Sequence, residues 1–408
     1  MSPTLFDSES LRVVPLRFFG MHRITNRFLN SPDDPVPSYP LELSVDLSTG
    51  LVHLSRLFPV SELRPRHDWI TCFEPEDHID ELARRIARLP NVNQSTNFLG
   101  FSFKDDTTLD RIRDSGFGSI SSISPSLDLD IFDRLANIET VQNRFTELSA
   151  DRIFRNHKRP DVFIARHVLE HFYDLPAFLR TIRTVIADTG YVVLEVPDCE
   201  RGLSFGDCSV LWEEHVFYFT RNTLLMVMAR GGFDVIDSFS VPYPLEDSLI
   251  IIARKNESED HQRGFLPTSV LDAENTRAFK FVELLHARRA SIVERLTYIR
   301  RNGGKVALFG AAHLSFTFVS LHGLESLIDF FIDDDSNKRD LIAPVGGVRI
   351  LGSEQLYSSP PVVCLLGLNP IKHQIIVSRH VRYTDSGGIF ASIFPGTPLY
   401  IEDVLPKS

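Results

Sequence analysis

The sequence has few cysteines, no long apolar run and no excess of positive charge. Its 408 residues include only four cysteines, and no two of them form a Cys-x-x-Cys pair; they are Cys72, Cys199, Cys208 and Cys364. Such scattered thiols exclude a disulfide framework and predict free cysteines in a reducing compartment. A formal net charge of −11 argues against nucleic acid, or an anionic membrane surface, as the main partner.

The chain also has none of the segments that would direct it to a membrane. No stretch approaches the roughly 20 consecutive apolar residues that a membrane-spanning helix needs. Residues 1–12 lack the basic start and apolar core of a signal peptide. We therefore expect a cytoplasmic protein that acts on neither nucleic acid nor membrane. The length predicts two or three domains, because one hydrophobic core rarely serves so many residues.

The order of sequence patterns predicts an α/β protein. Apolar residues alternate with polar ones at 41–45 and 51–54, which indicates short strands. From residue 96 to residue 253 strand patterns alternate with helical ones, which is typical of a doubly wound, mainly parallel sheet. The last two strand patterns, 233–239 and 248–253, follow each other directly and predict an antiparallel edge. A long helix is predicted over 272–301.

Several motifs resemble those of the sugar-nucleotide C-methyltransferases. The central ones are Arg-His-Val-Leu-Glu-His at 166–171, Glu-Val-Pro at 195–197 and Glu-Glu-His-Val-Phe-Tyr-Phe at 213–219. A Gly-Ala-Ala turn at 310–312 and an acidic stretch with a lysine at 333–338 resemble the C-terminal domain of that family. The resemblance covers most of the chain and is specific from His167 onward.

The resemblance implies three domains, which we place at residues 1–70, 71–255 and 256–408. The first corresponds to a small zinc-ribbon-like domain. The second corresponds to a doubly wound, Rossmann-like class I methyltransferase domain. The third begins with a charged linker and the long helix and corresponds to a second Rossmann-like domain.

The family reaction moves a methyl group from S-adenosylmethionine to a sugar carbon beside a keto group. The general base of the family is a histidine in a Tyr-x-Glu-His stretch. The stretch in this chain that resembles it is Trp212-Glu213-Glu214-His215. The resemblance implies His215 as the base and Glu214 as its partner. A histidine suits this role because its ordinary pKa, near 6.5, lets it accept a proton at cellular pH.

The same resemblance implies which residues bind the substrate. They are His167, His171, Trp212, Glu213 and Tyr218. His167 and His171 follow a predicted parallel strand, and the carboxyl ends of such strands form the ligand crevice. The substrate would be a small molecule, with a nucleotide-linked sugar as the family's example, and assembly into a homo-oligomer is compatible with this prediction.

The metal ligands of the family's zinc ribbon are absent. Where its two Cys-x-x-Cys-Gly motifs would stand, this chain has Leu-Arg-Phe-Phe-Gly at 16–20 and Asp-Leu-Ser-Thr-Gly at 46–50. Leu, Phe and Thr cannot replace thiolates on zinc. The glycines persist, so we expect the loops to remain, with no structural zinc and no metal in the chain.

The loop that holds the methyl donor also departs from the family. The family sequence resembles Glu-x-Gly-Ser-Asn-Asp-Gly, whereas this chain has Asp105 at the matching aspartate and Ser102 and Asp106 where the glycines stand. Ser124 stands where an acid would hold the ribose hydroxyls. The residues expected to face S-adenosylmethionine are Asp105, Ser102, Ser124 and Arg166. Side chains at glycine positions hinder close approach of a ligand to the backbone.

Three alternatives remain open at this stage. In the first, the fold serves a reaction without S-adenosylmethionine, such as that of an isomerase, a cyclase or a lyase. In the second, the chain is a non-catalytic partner of an active relative, although such a subunit has no reason to keep Glu214 and His215. Finally, His167 and His171 form an H-x-x-E-H pattern that could bind zinc or iron with Glu170 or Glu214.

Overall fold

The computed structural model describes residues 2–5, 12–70, 74–256 and 266–407. Cys72 and nearly all of the predicted linker lie outside these residues. The other three cysteines are free and buried. None of the described helices is both long and apolar enough to cross a membrane.

A four-stranded antiparallel sheet forms the N-terminal part. Its strands are β1 (Val13–Arg23), β2 (Ser38–Asp46), β3 (Leu51–Leu54) and β8 (Phe217–Tyr218). The sheet order is β1-β2-β3-β8, and the predicted strands at 41–45 and 51–54 are confirmed within β2 and β3. β8 comes from the middle of the sequence and pairs with β3, so this sheet combines distant parts of the chain.

Residues 46–50, where the family has its second pair of zinc ligands, form a tight turn between β2 and β3. The Asp46 carboxylate accepts hydrogen bonds from the Ser48 amide and the Thr49 hydroxyl, both at 2.9 Å. The Gly50 amide donates to the Asp46 carbonyl at 2.7 Å, and Gly50 has a φ of +73°. Hydrogen bonds therefore close this loop at the place where the resembling family has thiolates.

The central sheet has six strands in the order β5-β4-β6-β7-β10-β9. They are β4 (Asn97–Gly100), β5 (Ser119–Ser122), β6 (Val162–Arg166), β7 (Tyr191–Asp198), β9 (Phe233–Val241) and β10 (Asp247–Lys255). The first four strands in this order are parallel, whereas β10 runs antiparallel to both β7 and β9. The predicted doubly wound sheet and its antiparallel edge are both confirmed.

Helices cover both faces of the central sheet, because its strands carry apolar side chains on both sides. One face packs against α2 and α3, and the other mainly against α5, α6, α7 and α9. The helices up to this point are α1 (Val60–Leu63), α2 (Ile79–Ala87), α3 (Asp106–Asp114), α4 (Pro125–Leu129), α5 (Ile138–Gln142), α6 (Glu147–Asn156), α7 (Leu175–Val185), α8 (Glu200–Phe205) and α9 (Arg221–Arg230).

The C-terminal part begins with the long α10 (Thr268–Arg301), close to the predicted helix. A second, fully parallel sheet follows in the order β13-β12-β11-β14-β15. Its strands are β11 (Val306–Phe309), β12 (Phe330–Ile332), β13 (Ile350–Leu351), β14 (Val363–Leu366) and β15 (Ile389–Ser392). Its helices are α11 (His313–His322), α12 (Gln355–Ser358), α13 (His373–Arg379), α14 (Val381–Asp385) and α15 (Ile401–Val404). The predicted second Rossmann-like unit is therefore present, while the exact domain boundaries stay a prediction.

Candidate functional site

All three parts of the chain meet at one edge of the central sheet, and we refer to this region as the crevice. Its floor is the edge of the central sheet at which β4, β6 and β7 end, as expected for a parallel sheet. The segment between β1 and β2 approaches from one side through Asn26, and the start of α11 approaches from the other through His313. Most of the residues predicted from the sequence gather here.

The backbone on both sides of the crevice fixes the position of His215. The next residue, Val216, donates its amide to the Glu170 carbonyl at 2.7 Å and accepts from the Leu54 amide at 2.8 Å. The His215 ring is half-buried and lies edge-on to the rings of His171 and Trp212, at centroid distances of 4.8 and 5.0 Å. Burial, together with the nearby His171 and Lys104, lowers the pKa of His215 well below its ordinary value.

Glu214 does not orient His215 in this structure. Its Oε1 accepts a hydrogen bond from Asn26 Nδ2 at 2.9 Å, and among the described residues no ion pair joins the two side chains. Burial, and then the nearby carboxylates of Glu139 and Glu213, raise the pKa of Glu214 well above its ordinary value. Glu214 therefore belongs to an acidic group beside the imidazole rather than to a Glu-His pair.

His171 faces this acidic group. Its Nδ1 lies 2.5 Å from Glu139 Oε1, and its Nε2 lies 3.8 Å from Glu170 Oε1. Two sets of side chains bring one potential metal-ligand atom each within 4.8 Å of one another: Glu139 with His171 and Glu214, and Glu170 with His171 and His215. His171 is common to both sets.

The other predicted substrate residues have different surroundings. Trp212 stacks on His313 with a centroid distance of 4.6 Å and an interplanar angle of 24°. Glu213 accepts hydrogen bonds from the amide of Thr25 at 2.5 Å and from its hydroxyl at 2.9 Å. Tyr218 lies within β8, and its hydroxyl donates to the Trp212 carbonyl at 3.4 Å. Trp212 and His313 thus offer flat surfaces, whereas Glu213 and Tyr218 hold the segment in place.

His167 lies in a separate group of charges at the ends of β6 and β7. Its Nε2 lies 3.0 Å from Glu195 Oε1, and its Nδ1 lies 3.6 Å from Glu74 Oε2. Burial alone would lower the pKa of His167, but Glu74 and Glu195 raise it to about 10. Neither set of neighbouring ligand atoms among the described residues includes His167, so the H-x-x-E-H pattern does not bring its two histidines together as a pair of ligands.

The same group of charges contains Arg166 and Lys104. Arg166 and Glu195 are register partners on β6 and β7, and the guanidinium Nε donates to Glu195 Oε2 at 2.6 Å. Lys104 Nζ donates to Glu74 Oε1 at 2.6 Å. Arg166 also donates to the Lys104 carbonyl at 2.8 Å, which joins the two pairs. We refer to Glu74, Lys104, Arg166, His167 and Glu195 as the ionic network.

The loop after β4 is closed by its own hydrogen bonds. Asp105 is fully buried; its Oδ2 accepts from the Ser102 amide and its Oδ1 from the Arg166 amide, both at 2.8 Å. Burial raises the pKa of Asp105 to about 7. Residues 103–105 form a 3-10 turn, and no residue from 101 to 106 has a positive φ.

A mainly apolar cleft of about 240 Å³ remains beside this loop. Its lining includes Phe101, Phe103, Ile123, Leu129, Ile138 and Val141. Ser124, expected to replace the ribose-binding acid, begins α4: its hydroxyl accepts from the Leu127 amide at 3.4 Å, and its amide donates to Asp128 Oδ2 at 2.7 Å. Ser124 therefore has a local capping role.

Sequence reasoning did not assign a role to three residues at the site. Glu139 and Asn26 stand outside the recognised motifs, and their neighbours in sequence give no hint of the crevice. Glu195 carries a usable signal, because a charged residue in the apolar strand β7 needs a buried partner. Arg166 supplies that partner.

Comparison with known proteins agrees with this architecture. Residues 63–238 match the family described as a methyltransferase domain, and residues 248–395 match the C-methyltransferase C-terminal domain. The chain is 22% identical over 390 residues to the C-methyltransferase NovU of Streptomyces niveus, which covers 92% of each chain.

Similar solved structures include a putative S-adenosylmethionine-dependent methyltransferase from Listeria monocytogenes, at 12% identity and a TM-score of 0.30, covering 45% of this chain and 100% of that one. Another is the 1,6-didemethyltoxoflavin-N1-methyltransferase of Burkholderia thailandensis, at 12% identity and a TM-score of 0.27, covering 44% of this chain and 78% of that one. The two family domains, which follow in this order, and the similarity to NovU support a sugar C-methyltransferase-like family for this chain.

Proposed function

We propose that this enzyme removes a proton from a carbon beside a carbonyl group of a small-molecule substrate, with His215 as the base, and that it transfers no methyl group. One observation carries the proposal. The His215 imidazole is half-buried and has no hydrogen bond to a described carboxylate, whereas Asp105 in the loop after β4 accepts the amides of Ser102 and Arg166. This contrast supports a retained base and a lost donor site.

The residues present do not fit the methionine part of S-adenosylmethionine. In class I methyltransferases the loop after the first strand lies against that part, and here Asp105 occupies the Ser102 amide. Nearby, the Lys104–Glu74 and Arg166–Glu195 pairs and the buried His167 fill the edge of the sheet. A charged amino acid at this edge would compete with these ion pairs, and breaking the buried Arg166–Glu195 pair would cost several kcal/mol when one partner is left alone. Only the apolar cleft beside the loop has a lining that suits a ring system.

The proposed chemistry needs only a proton carrier and support for a negative oxygen. The carbon–hydrogen bond breaks, its electron pair forms the enolate, and the proton goes to an imidazole nitrogen of His215. A solvent proton added to the other face of the same carbon gives the epimer, and loss of the abstracted proton from His215 to solvent restores the enzyme. Trp212 and His313, stacked beside the imidazole, offer flat surfaces for a ring-shaped substrate.

The proposed substrate is a keto compound, and the resemblance favours a nucleotide-linked keto sugar. The similarity to the C-methyltransferase NovU supports a reaction at a carbon atom. Assembly into a homo-oligomer remains compatible with the proposal, since the crevice is complete within one chain.

Hydrogen exchange tests the proposal directly. Thymidine diphosphate-4-keto-6-deoxyglucose serves as the probe, and proton NMR in D2O follows the signals of the carbons beside its keto group. We expect the wild type to exchange one of these protons, and His215→Gln to slow the exchange about 100-fold or more. His286→Gln, on the exposed side of α10, is the matched control and should exchange normally.

Two results would contradict the proposal. Undiminished exchange by His215→Gln would exclude this histidine as the base. A wild type that leaves the probe unlabelled would exclude proton abstraction from such sugars and favour a non-catalytic partner subunit.

A further inference from the structure

Three acidic or imidazole side chains converge in the crevice from separate parts of the chain. Glu139 comes from α5, His171 from the turn after β6, and Glu214 from the segment before β8. One potential ligand atom of each lies within 4.8 Å of the others. The exposed fractions of Glu139, His171 and Glu214 are 1%, 2% and 6%, so none of them is a solvated surface group.

Three polar atoms of Glu139 and His171 lack hydrogen-bond partners among the described residues. Glu139 Oε1 and both ring nitrogens of His171 are buried and, among the described residues, make no hydrogen bond. Glu139 Oε1 lies only 2.5 Å from His171 Nδ1, so it is the alignment rather than the distance that fails. Buried groups of this kind cost about 1–3 kcal/mol each when they are left unpaired, more when they are charged. Because one ligand atom of each side chain lies within 4.8 Å of the others, a single ion could contact all three.

The charges of the group point to a cation. Glu139 faces an imidazole, and Glu214 faces the neutral amide of Asn26, so neither contact supplies a permanent positive charge. We infer that Glu139, His171 and Glu214 bind a divalent metal ion. Two carboxylates and one imidazole form a mixed oxygen and nitrogen set, which suits Mn²⁺, Fe²⁺ or Zn²⁺ better than Ca²⁺. This departs from the sequence-based expectation of a chain without metal.

The competing set of Glu170, His171 and His215 is less suitable. Both Glu170 oxygens also lack a hydrogen bond, but the carboxylate lies 3.7 Å from Nδ1 of His167, whose positive charge compensates it. His215 is half-buried, whereas Glu139 and Glu214 are buried. The favoured set also leaves the His215 imidazole unligated.

A cation in this position would face the same space as the His215 ring, because His171 contacts both. It would draw electron density from the substrate carbonyl and hold the enolate oxygen while His215 carries the proton. That role depends on the proposed function, whereas metal binding itself does not.

Manganese titration tests the site without any substrate. Protein stripped with EDTA is titrated with Mn²⁺, and the electron paramagnetic resonance signal of free Mn²⁺ reports the bound fraction, with Zn²⁺ as competitor. We expect one Mn²⁺ per chain, displaced by Zn²⁺. Glu139→Gln and Glu214→Gln should each weaken binding about tenfold or more, while Glu170→Gln stays within about threefold of the wild type.

Circular dichroism and thermal unfolding show whether each variant is folded. If Glu139→Gln does not fold, Glu139→Asp is used in its place. Absence of Mn²⁺ and Zn²⁺ binding to the wild type would overturn the inference. Loss of binding in Glu170→Gln with full binding in Glu139→Gln would overturn the assignment of the ligands. Because this readout needs no turnover, its failure leaves the exchange experiment on His215 unaffected, and the reverse also holds.

Discussion

The amide of Ser102 donates a hydrogen bond to Asp105 Oδ2 at 2.8 Å, which closes the loop after β4 upon itself. The other oxygen of the same carboxylate accepts from the amide of Arg166 at the end of β6. One buried side chain thus fixes the loop to the neighbouring strand. In this arrangement the loop is complete without a ligand, which is the structural basis for proposing chemistry without a methyl donor.

Asp105→Asn should destabilise the protein more than Asp106→Asn, the same substitution at its exposed neighbour. The substituted amide can accept only one of the two backbone hydrogen bonds, and its NH2 group must face a second donor. We expect a loss of about 2 kcal/mol in the free energy of unfolding, measured with urea. Asp106→Asn, on an exposed side chain, should change it by less than about 0.5 kcal/mol. Equal effects would mean that Asp105 does not hold the loop.

His167 should make stability depend on alkaline pH. Its pKa is about 10 in the folded protein and about 6.5 in an unfolded chain, so folding takes up a proton between these values. The stabilisation is complete below about pH 6.5 and is lost as the pH rises towards about 10. Urea unfolding across this range should therefore show a decline that His167→Gln, which cannot be protonated, shows less steeply.

The variant also supplies the control for this pH dependence. Other groups that titrate at alkaline pH act equally on both proteins, so only the difference between them reports on His167. Parallel pH profiles would mean that Glu74 and Glu195 do not hold a charged imidazole at this position.

The turn after β2 should tolerate no side chain at Gly50. A Cβ there would lie 2.4 Å from the Cβ of Glu274 on α10, and the φ of +73° is itself unfavourable for other residues. Gly20 has a φ of +100° but no atom within 4 Å of such a Cβ. Gly20→Ala should therefore cost about 1–2 kcal/mol from the backbone alone. Gly50→Ala should cost clearly more in thermal unfolding, and a smaller loss would mean that the turn does not pack on α10.

Local patterns were enough to predict most of the fold. The alternation of strands and helices gave the central sheet, and the adjacency of β9 and β10 gave its antiparallel edge, because such neighbours pair through short connections. The pairing of β8 with β3 could not be predicted, since two residues make too short a strand for any pattern and the partner is distant in sequence.

The residues of the candidate site were predictable only where they stand in a recognised sequence motif. His215 and His171 stand in recognisable stretches and do meet in the crevice. Glu139 has no such context, because only the packing of α5 against the central sheet brings it to His171. The hydrogen bond from Asn26 to Glu214 depends on how the N-terminal sheet docks, which a sequence pattern does not encode.

Calorimetric titration with S-adenosylmethionine tests the central claim most directly. The wild type is compared with a variant carrying Ser102→Gly, Asp106→Gly and Ser124→Glu, which restores the family residues around the loop. We predict no heat of binding for the wild type up to about 1 mM ligand, because Asp105 already accepts the Ser102 amide and Arg166 is already paired with Glu195. Saturable binding by the wild type in the micromolar range would contradict this account and make methyl transfer the leading one.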